Sequence, residues 1–239
     1  MSYQTVFKRY ELKYLLTPQQ KRQILLAMGQ RMALDSFGRS TIRNLYFDTD
    51  SYRLIRRSLE KPAYKEKLRV RSYHPVGPQE PVFVELKKKY DSVVYKRRLA
   101  LPQDQAMDCL VHHKPLPGSS QIAREIDYFC EFYQDLRPAV FLSYEREAYF
   151  ALDGSDFRVT FDENILYRQD HLSLSEAPYG TSLLPPDMTL MEIKTPGGIP
   201  LWMTHCMAGA HIYKTSFSKY GTAYQTMLCQ HAKGVMRYA

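Results

Sequence analysis

Charged residues recur two apart in this chain on segments that read as strands: Glu11-x-Lys13, Arg69-x-Arg71, Glu85-x-Lys87 and Glu192-x-Lys194. A strand turns alternate side chains to opposite faces, so each pair shares one face. The densest run is Tyr64 to Tyr73, where Lys65, Lys67, Arg69 and Arg71 alternate with Leu68 and Val70. Neighbouring cations about 7 Å apart repel by about 2 kcal/mol at an effective dielectric near 20. No dry core holds such a row, so one face needs water or a polyanion while the other packs on something apolar. A lone basic strand is usually a solvated surface. Here the pattern returns in Val82 to Lys89 and in Val93 to Leu101, which carries Lys96, Arg97 and Arg98. Cations at this density suit an extended row of phosphates. A carboxylate among them suits Mg²⁺ or Mn²⁺ bridging phosphate oxygens.

Composition agrees with an anionic ligand. The 33 Lys and Arg outnumber 25 Asp and Glu for a net charge of +8, and 44% apolar residues supply a core. Cys109, Cys130, Cys206 and Cys229 are scattered without a C-x-x-C pair, which fits a reduced, cytoplasmic setting. No apolar run approaches the length of a membrane span and the N-terminus has no signal-like core, so neither secretion nor a membrane anchor is expected. The seven histidines show no ligand spacing.

The elements that must carry these faces follow from periodicity. Strands are expected at Val6–Leu15, Thr41–Asp48, 64–73, Val82–Lys89, Val93–Leu101, Ala139–Phe150, Phe157–Asp162 and Met188–Thr195, with a turn at Asp91-Ser92. Thr17-Pro18-Gln19-Gln20 is a helix start, and Ile24, Leu25, Met28 and Met32 are its stripe. Thr49-Asp50 caps a short helical turn, Gln103–His113 and Gln121–Leu136 form a helical insertion, and Leu201–Ala210 and Lys219–Lys233 are helices, the last capped by Ser218. The stretch Asp170–Pro186 is a loop or hairpin. About eight antiparallel strands, each with a charged face, bury those charges together by curling into a closed barrel with a wet lumen. The expected fold is α+β, mainly β: a closed antiparallel eight-stranded tunnel barrel with the helices at 18–32, 103–136 and 201–233 packed outside. Residues 1–239 read as a single domain with a helical insertion at about 103–136.

The motifs Phe7-Lys8-Arg9-Tyr10-Glu11-Leu12-Lys13-Tyr14, Leu45-Tyr46-Phe47-Asp48-Thr49, Lys67-Leu68-Arg69-Val70-Arg71, Val84-Glu85-Leu86-Lys87, Tyr144-Glu145-Arg146, Phe157-Arg158-Val159-Thr160, Met191-Glu192-Ile193-Lys194 and Phe217-Ser218-Lys219-Tyr220 occur in that order. Together they resemble the catalytic domain of the vacuolar transporter chaperone family, within the triphosphate tunnel metalloenzymes. The resemblance spans nearly the whole chain. It implies a polyphosphate polymerase that moves the γ-phosphate of ATP onto a polyphosphate chain with Mn²⁺ or Mg²⁺. The residues it implies are Lys13, Arg69, Arg71, Lys87, Arg146, Arg158 and Lys219 on the reacting phosphates, Ser218 beside the last, and Glu192 on the metal. Lys67 and Lys194 extend the basic faces, either Lys96 or Arg98 adds a cation, and Tyr46 either stacks on a base or packs in the wall. Val140, Leu142 and Tyr144 share the parity of Arg146, which a bulge would resolve. Related tunnel hydrolases and cyclases carry Glu-x-Glu-x-Lys on the first strand, where this chain has Arg9-Tyr10-Glu11-Leu12-Lys13. The missing carboxylate weakens the case for metal-activated water and suits transfer to a phosphate, already an anionic nucleophile.

Three functions compete on the sequence: the polymerase, a tunnel-type triphosphatase or polyphosphatase, and a non-catalytic polyanion binder. Nucleic acid is not an expected partner, because neither a known module nor aromatics spaced for base stacking are present.

Overall fold

A computed structural model describes residues 10–91 and 93–236. Val6–Arg9 of the expected first strand, and Ser92 of the expected turn, lie outside the described residues. The elements run β1 (Tyr10–Leu16), α1 (Pro18–Met28), β2 (Met32–Leu34), β3 (Ser40–Asp48), α2 (Arg53–Leu59), β4 (Tyr64–Ser72), β5 (Pro81–Tyr90), β6 (Val93–Pro102), α3 (Gln103–Val111), α4 (Gln121–Tyr133), β7 (Arg137–Ala151), β8 (Arg158–Arg168), β9 (Thr181–Ser182), β10 (Thr189–Thr195), α5 (Leu201–Gly209), β11 (Lys214–Thr215) and α6 (Lys219–Met236).

Local chemistry sets these boundaries. The Thr17 hydroxyl accepts from the Gln20 amide, and the Gln20 side chain accepts from the Thr17 amide, with Pro18 in the first helical position. The helix stops at Gly29, whose φ of 36° lies in the left-handed region that favours glycine. Met32, expected on the helix stripe, therefore begins β2 instead. At α2 the cap is Asp48 rather than Thr49-Asp50 alone: its carboxylate accepts from the amides of Thr49, Leu54 and Ile55. β8 runs past Asp162 because Leu166 and Tyr167 pair with β7 on one side and with β9 on the other, which places a two-residue return strand, Thr181–Ser182, in the otherwise irregular stretch Asp170–Pro186.

All strands join one antiparallel sheet of mainly β, α+β architecture, in the order β11-β1-β10-β8-β7-β3-β4-β5-β6, with β2 added to β7 and β9 to β8. β1 and β5 stand six places apart, about 29 Å if the sheet were flat at about 4.8 Å per strand. Yet the Glu11 carboxylate of β1 lies 2.6 Å from Lys87 Nζ of β5. The sheet is rolled until its edges face each other. It is not the closed eight-stranded barrel expected: the sheet has 11 strands, and among the described residues no ladder joins β6 to β1 or β11.

The convex side carries two apolar layers. Leu68, Val70, Val84 and Leu86 pack under Leu110 of α3 and Ile126 and Phe129 of α4. Val159, Met191 and Ile193 pack under Ile24 and Met28 of α1 and Met203 and Met207 of α5. The third layer departs from expectation. Tyr220, Ala223, Tyr224 and Met227 of α6 pack on Ile42, Val140, Leu142, Tyr144 and Leu190, on the same face as the charged residues. The helix 219–233 therefore covers part of the concave side rather than the outside. Among the described residues, no helix is long and apolar enough to cross a membrane.

Candidate anion-binding site

The concave face is divided along its length. Opposite register partners share a face, and the pairs Asn44↔Leu142, Ile42↔Tyr144 and Ser40↔Arg146 run without interruption. Val140, Leu142, Tyr144 and Arg146 thus lie in one row, as their parity requires. The register shifts lie elsewhere: against β8 between Ser143 and Glu145, where β8 carries the extra residue, and against β3 between Tyr46 and Phe47, where β7 carries it before Val140. No bulge is needed to turn Arg146 inward, because the apolar members of its row lie beneath α6 and Arg146 is where the row leaves that cover.

Beyond α6 the face is ionic. Glu85, fully buried, receives Arg69 at 2.7 Å, Arg98 at 2.5 Å, Lys96 at 3.6 Å and Arg71 at 3.8 Å. The structure therefore uses both Lys96 and Arg98. Burial alone would raise the Glu85 carboxyl, but Arg71, Arg69, Lys96 and Arg98 hold it well below the usual carboxylate range. Tyr46 stacks on Tyr220 with ring centroids 4.8 Å apart, and its hydroxyl accepts from Arg69 at 2.9 Å. It is a buried wall residue that steadies Arg69. Arg71 is fixed by Asn44 Oδ1 at 2.9 Å and the Tyr144 hydroxyl at 3.0 Å.

A second cluster forms where α6 begins. Asp162 takes Arg146 in a two-pronged contact, 2.6 Å at each oxygen, and also accepts from Lys219. Glu192 lies 3.0 Å from Lys219, 3.4 Å from Lys13, 3.5 Å from Arg146 and 3.8 Å from Lys194. Against the cost of burial, Lys219, Lys13, Arg146 and Lys194 keep Glu192 well below its ordinary range. Glu11, bound to Lys87, is lowered to about 2. Ser218 Oγ accepts from the Gly221 amide at 3.2 Å, the expected cap of α6, and from Lys67 Nζ at 3.1 Å.

Four carboxylates, Glu11, Glu85, Asp162 and Glu192, thus face ten cations: Lys13, Lys67, Arg69, Arg71, Lys87, Lys96, Arg98, Arg146, Lys194 and Lys219. The deficit shows in the lysines. Among the described residues Lys67 has no salt-bridge partner, and burial with the charges of Lys13, Lys87, Lys65 and Arg69 pushes it down to about 7. Lys194 falls to about 7, through burial and Arg146, and Lys96 to about 8, mainly through burial. Three lysines held below their ordinary range by burial and like charge mark a site short of negative charge, and an anion carrying several charges supplies it.

Of the residues expected in the site, all but one converge. Arg158, opposite Lys194 and Phe150 in the register, stands at the rim, 54% exposed, with Asp156 at 3.2 Å. Sequence reasoning passed over four others: Asp162, Asn44, Tyr144 and Thr160. Thr160 is cross-strand from Glu192, buried, and its hydroxyl has no partner. The alternation of Thr160 and Asp162 with Val159 and Phe161 was the available signal for two of them.

Among the described residues, no group of three or more His, Cys, Asp or Glu converges as a metal cage. Glu192, the acid that the resemblance assigns to a divalent ion, is the carboxylate ringed by Lys219, Lys13, Arg146 and Lys194.

The family model of the VTC domain matches residues 8–228. Among solved structures, a Bacillus halodurans protein described as a candidate adenylate cyclase aligns with a TM-score of 0.55 at 14% identity, over 90% of this chain and 96% of that one. HpAC1 of Hippeastrum, a candidate adenylyl cyclase described as having a dominant triphosphatase activity, aligns with a TM-score of 0.53 at 15% identity, over 91% and 96%. At these identities the likeness is one of fold. No curated protein matches the chain.

Proposed function

The chain belongs to the VTC-domain family, and from that premise we propose that it is a polyphosphate polymerase, transferring the γ-phosphate of ATP onto a polyphosphate chain held in the rolled sheet. The observation that carries the reading is the surplus of cations together with the engagement of Glu11, Glu85 and Asp162, which leaves Glu192 for the metal and, among the described residues of the site, no carboxylate to spare as a base. Glu11 is taken by Lys87, Glu85 by Arg69 and Arg98, Asp162 by Arg146 and Lys219. Hydrolysis requires water to lose a proton. A terminal phosphate attacks as the anion it already is and needs no base.

Phosphates enter from the rim marked by Arg158 and Lys194, since α6 covers the other part of the face. Arg69, Arg71 and Lys87 hold one phosphate row while Lys13, Arg146 and Lys219 hold the other, with Lys67, Lys96, Arg98, Lys194 and Ser218 contacting the flanking oxygens. Thr160 donates its spare hydroxyl to a phosphate oxygen beside Glu192. Catalysis then comes from in-line positioning and from charge neutralisation by groups already in place. Glu192 would hold Mn²⁺ or Mg²⁺, which when bound adds charge stabilisation at the donor phosphate. Lys219 and Arg146 keep Glu192 ionised and aimed. An ATP donor places the reaction in the cytoplasm, and residues 1–239 act as one domain.

Purified protein incubated with γ-labelled ATP and Mn²⁺ should yield ADP and a ladder of labelled chains on a gel. Glu192→Gln should lower chain formation at least 100-fold while tripolyphosphate still binds. Release of orthophosphate without chains would establish a triphosphatase instead, and binding without turnover a simple polyanion binder.

A further inference from the structure

On the convex side, behind the network of Asn44, Arg71 and Tyr144, lies a polar row that the proposed reaction does not use. Arg43 is 5% exposed, and its Nε is enclosed without a hydrogen-bond partner. No ion pair or hydrogen bond to its guanidinium occurs among the described residues, and burial, with no compensating charge, depresses its basicity. Arg43 is directly cross-strand from Ser72 on β4 and Ser143 on β7. Those two serines are each 1% exposed, and both hydroxyls also lack partners. Directly opposed residues bring their Cβ atoms within about 5 Å on one face, so the three unserved groups form a single row.

The contrast with Arg168 shows that this is not how the protein treats buried arginines in general. Arg168, 4% exposed, donates to the backbone carbonyls of His171, Ser173 and Tyr179. The nearest acid to Arg43 along β7 is Glu145, which is committed to Arg39. The next row on that face, Leu45 with Val70 and Phe141 opposite it, is apolar. Only Nε is fully enclosed and the terminal nitrogens still touch the surface, but a guanidinium this little exposed and without a counter-charge is costly to keep. A water molecule would satisfy the hydroxyls and leave the charge unbalanced. A small tetrahedral oxyanion satisfies both, through a charge-assisted contact to the guanidinium and a hydroxyl donor on each flank.

We propose that Arg43, Ser72 and Ser143 form a second anion site on the convex wall, for a free oxyanion of the orthophosphate or sulfate class, separate from the concave phosphate row. The low exposure excludes a phosphate chain or a nucleotide. Because Arg43 and Asn44 are adjacent on β3 and face opposite ways, an occupant tightens the strands that hold Arg71 on the other side.

The test saturates the concave site with tripolyphosphate and then measures uptake of labelled orthophosphate by equilibrium dialysis. Wild type should take up one further equivalent, with sulfate competing, and Arg43→Met should take up at least tenfold less. In phosphate- and sulfate-free buffer Arg43→Met should melt higher than wild type, because an unbalanced buried charge has been removed, and its turnover should persist. Ser143→Ala, which leaves the charge in place, should weaken uptake several-fold. Absence of further uptake, or uptake unchanged in Arg43→Met, overturns the site. A lower melting temperature for Arg43→Met in the anion-free buffer also overturns it, by showing that Glu145 or another protein group serves the guanidinium in solution.

Discussion

Lys67 carries the charge deficit of the concave face in its most testable form, since its neighbours are cations and the Ser218 hydroxyl. With a value of about 7 in the free protein, it must be protonated to hold phosphate, and a bound polyanion returns it toward the ordinary lysine range. Binding above pH 7 therefore takes up a proton, and affinity for tripolyphosphate should fall by up to about tenfold per pH unit for this one group. The ligand pushes the other way, because a terminal phosphate loses its last proton near pH 6 and then binds cations better. Isothermal titrations from pH 6.5 to 9 should show weakening, and Lys67→Met should flatten the profile. A rise in affinity with pH would remove the premise. Stability of the free protein carries the opposite sign. Unfolded lysine keeps its proton to about pH 10.4, so between pH 7 and 10 the unfolded chain binds more protons. The penalty from Lys67 is full below pH 7 and is relieved as pH rises. Residues such as Lys67 and Arg69 were legible because four cations at period two admit no dry surroundings. Tyr144 and Asn44 were not, since a tyrosine and an asparagine on a strand announce neither burial nor a guanidinium partner until the register is known.

α6 is the element that sequence periodicity placed on the wrong side of the sheet. Its apolar positions predict a helix, but an apolar stripe does not say which face of a sheet it covers. The hint was in β7, where Val140, Leu142 and Tyr144 share a parity with Arg146. Two kinds of residue on one strand face mean two kinds of cover. The start of α6 sets Lys219, and Gly221 sets how closely that start approaches α2. A Cβ at Gly221 would stand 2.9 Å from Leu59 Cδ2 and 3.1 Å from both Ser218 Cβ and Oγ. In an open helix, Gly→Ala gains about 1 kcal/mol. Here the new methyl presses on a packed leucine and on the cap that also receives Lys67, so Gly221→Ala should instead cost about 1–3 kcal/mol, the usual range for overpacking. Urea denaturation decides the sign. The same variant should weaken tripolyphosphate binding, because Ser218 and Lys219 move with the helix start. A stabilised Gly221→Ala with unchanged binding would mean that the helix seats loosely.

At the scale of the whole molecule, rolling the sheet concentrates cations from six strands and a helix on one face while, among the described residues, its edges meet through Glu11 and Lys87 without a ladder. The need to gather charge was readable from the recurrence of acid-base pairs. The strand number was not, because β9 and β11, two residues each, are too short to show a period. Such a molecule is held open against its own repulsion, and its stability should respond to anions in a characteristic way. Raising NaCl from 0.05 to 0.5 M shortens the screening length from about 14 to about 4 Å, so the melting temperature of the free protein should rise as like charges are screened. Tripolyphosphate at one hundred times its dissociation constant adds about 2.7 kcal/mol, or roughly 5–11 °C for a chain of this size. At a fixed total concentration that gain should decline in the order tripolyphosphate, pyrophosphate, orthophosphate, since each added phosphate reaches further cations along the face. It should also shrink as salt rises, so that the curves for free and liganded protein converge at high ionic strength. A protein whose cations were merely solvated would show neither the ordering by chain length nor the convergence, and scanning fluorimetry over a grid of salt and phosphate length distinguishes the two.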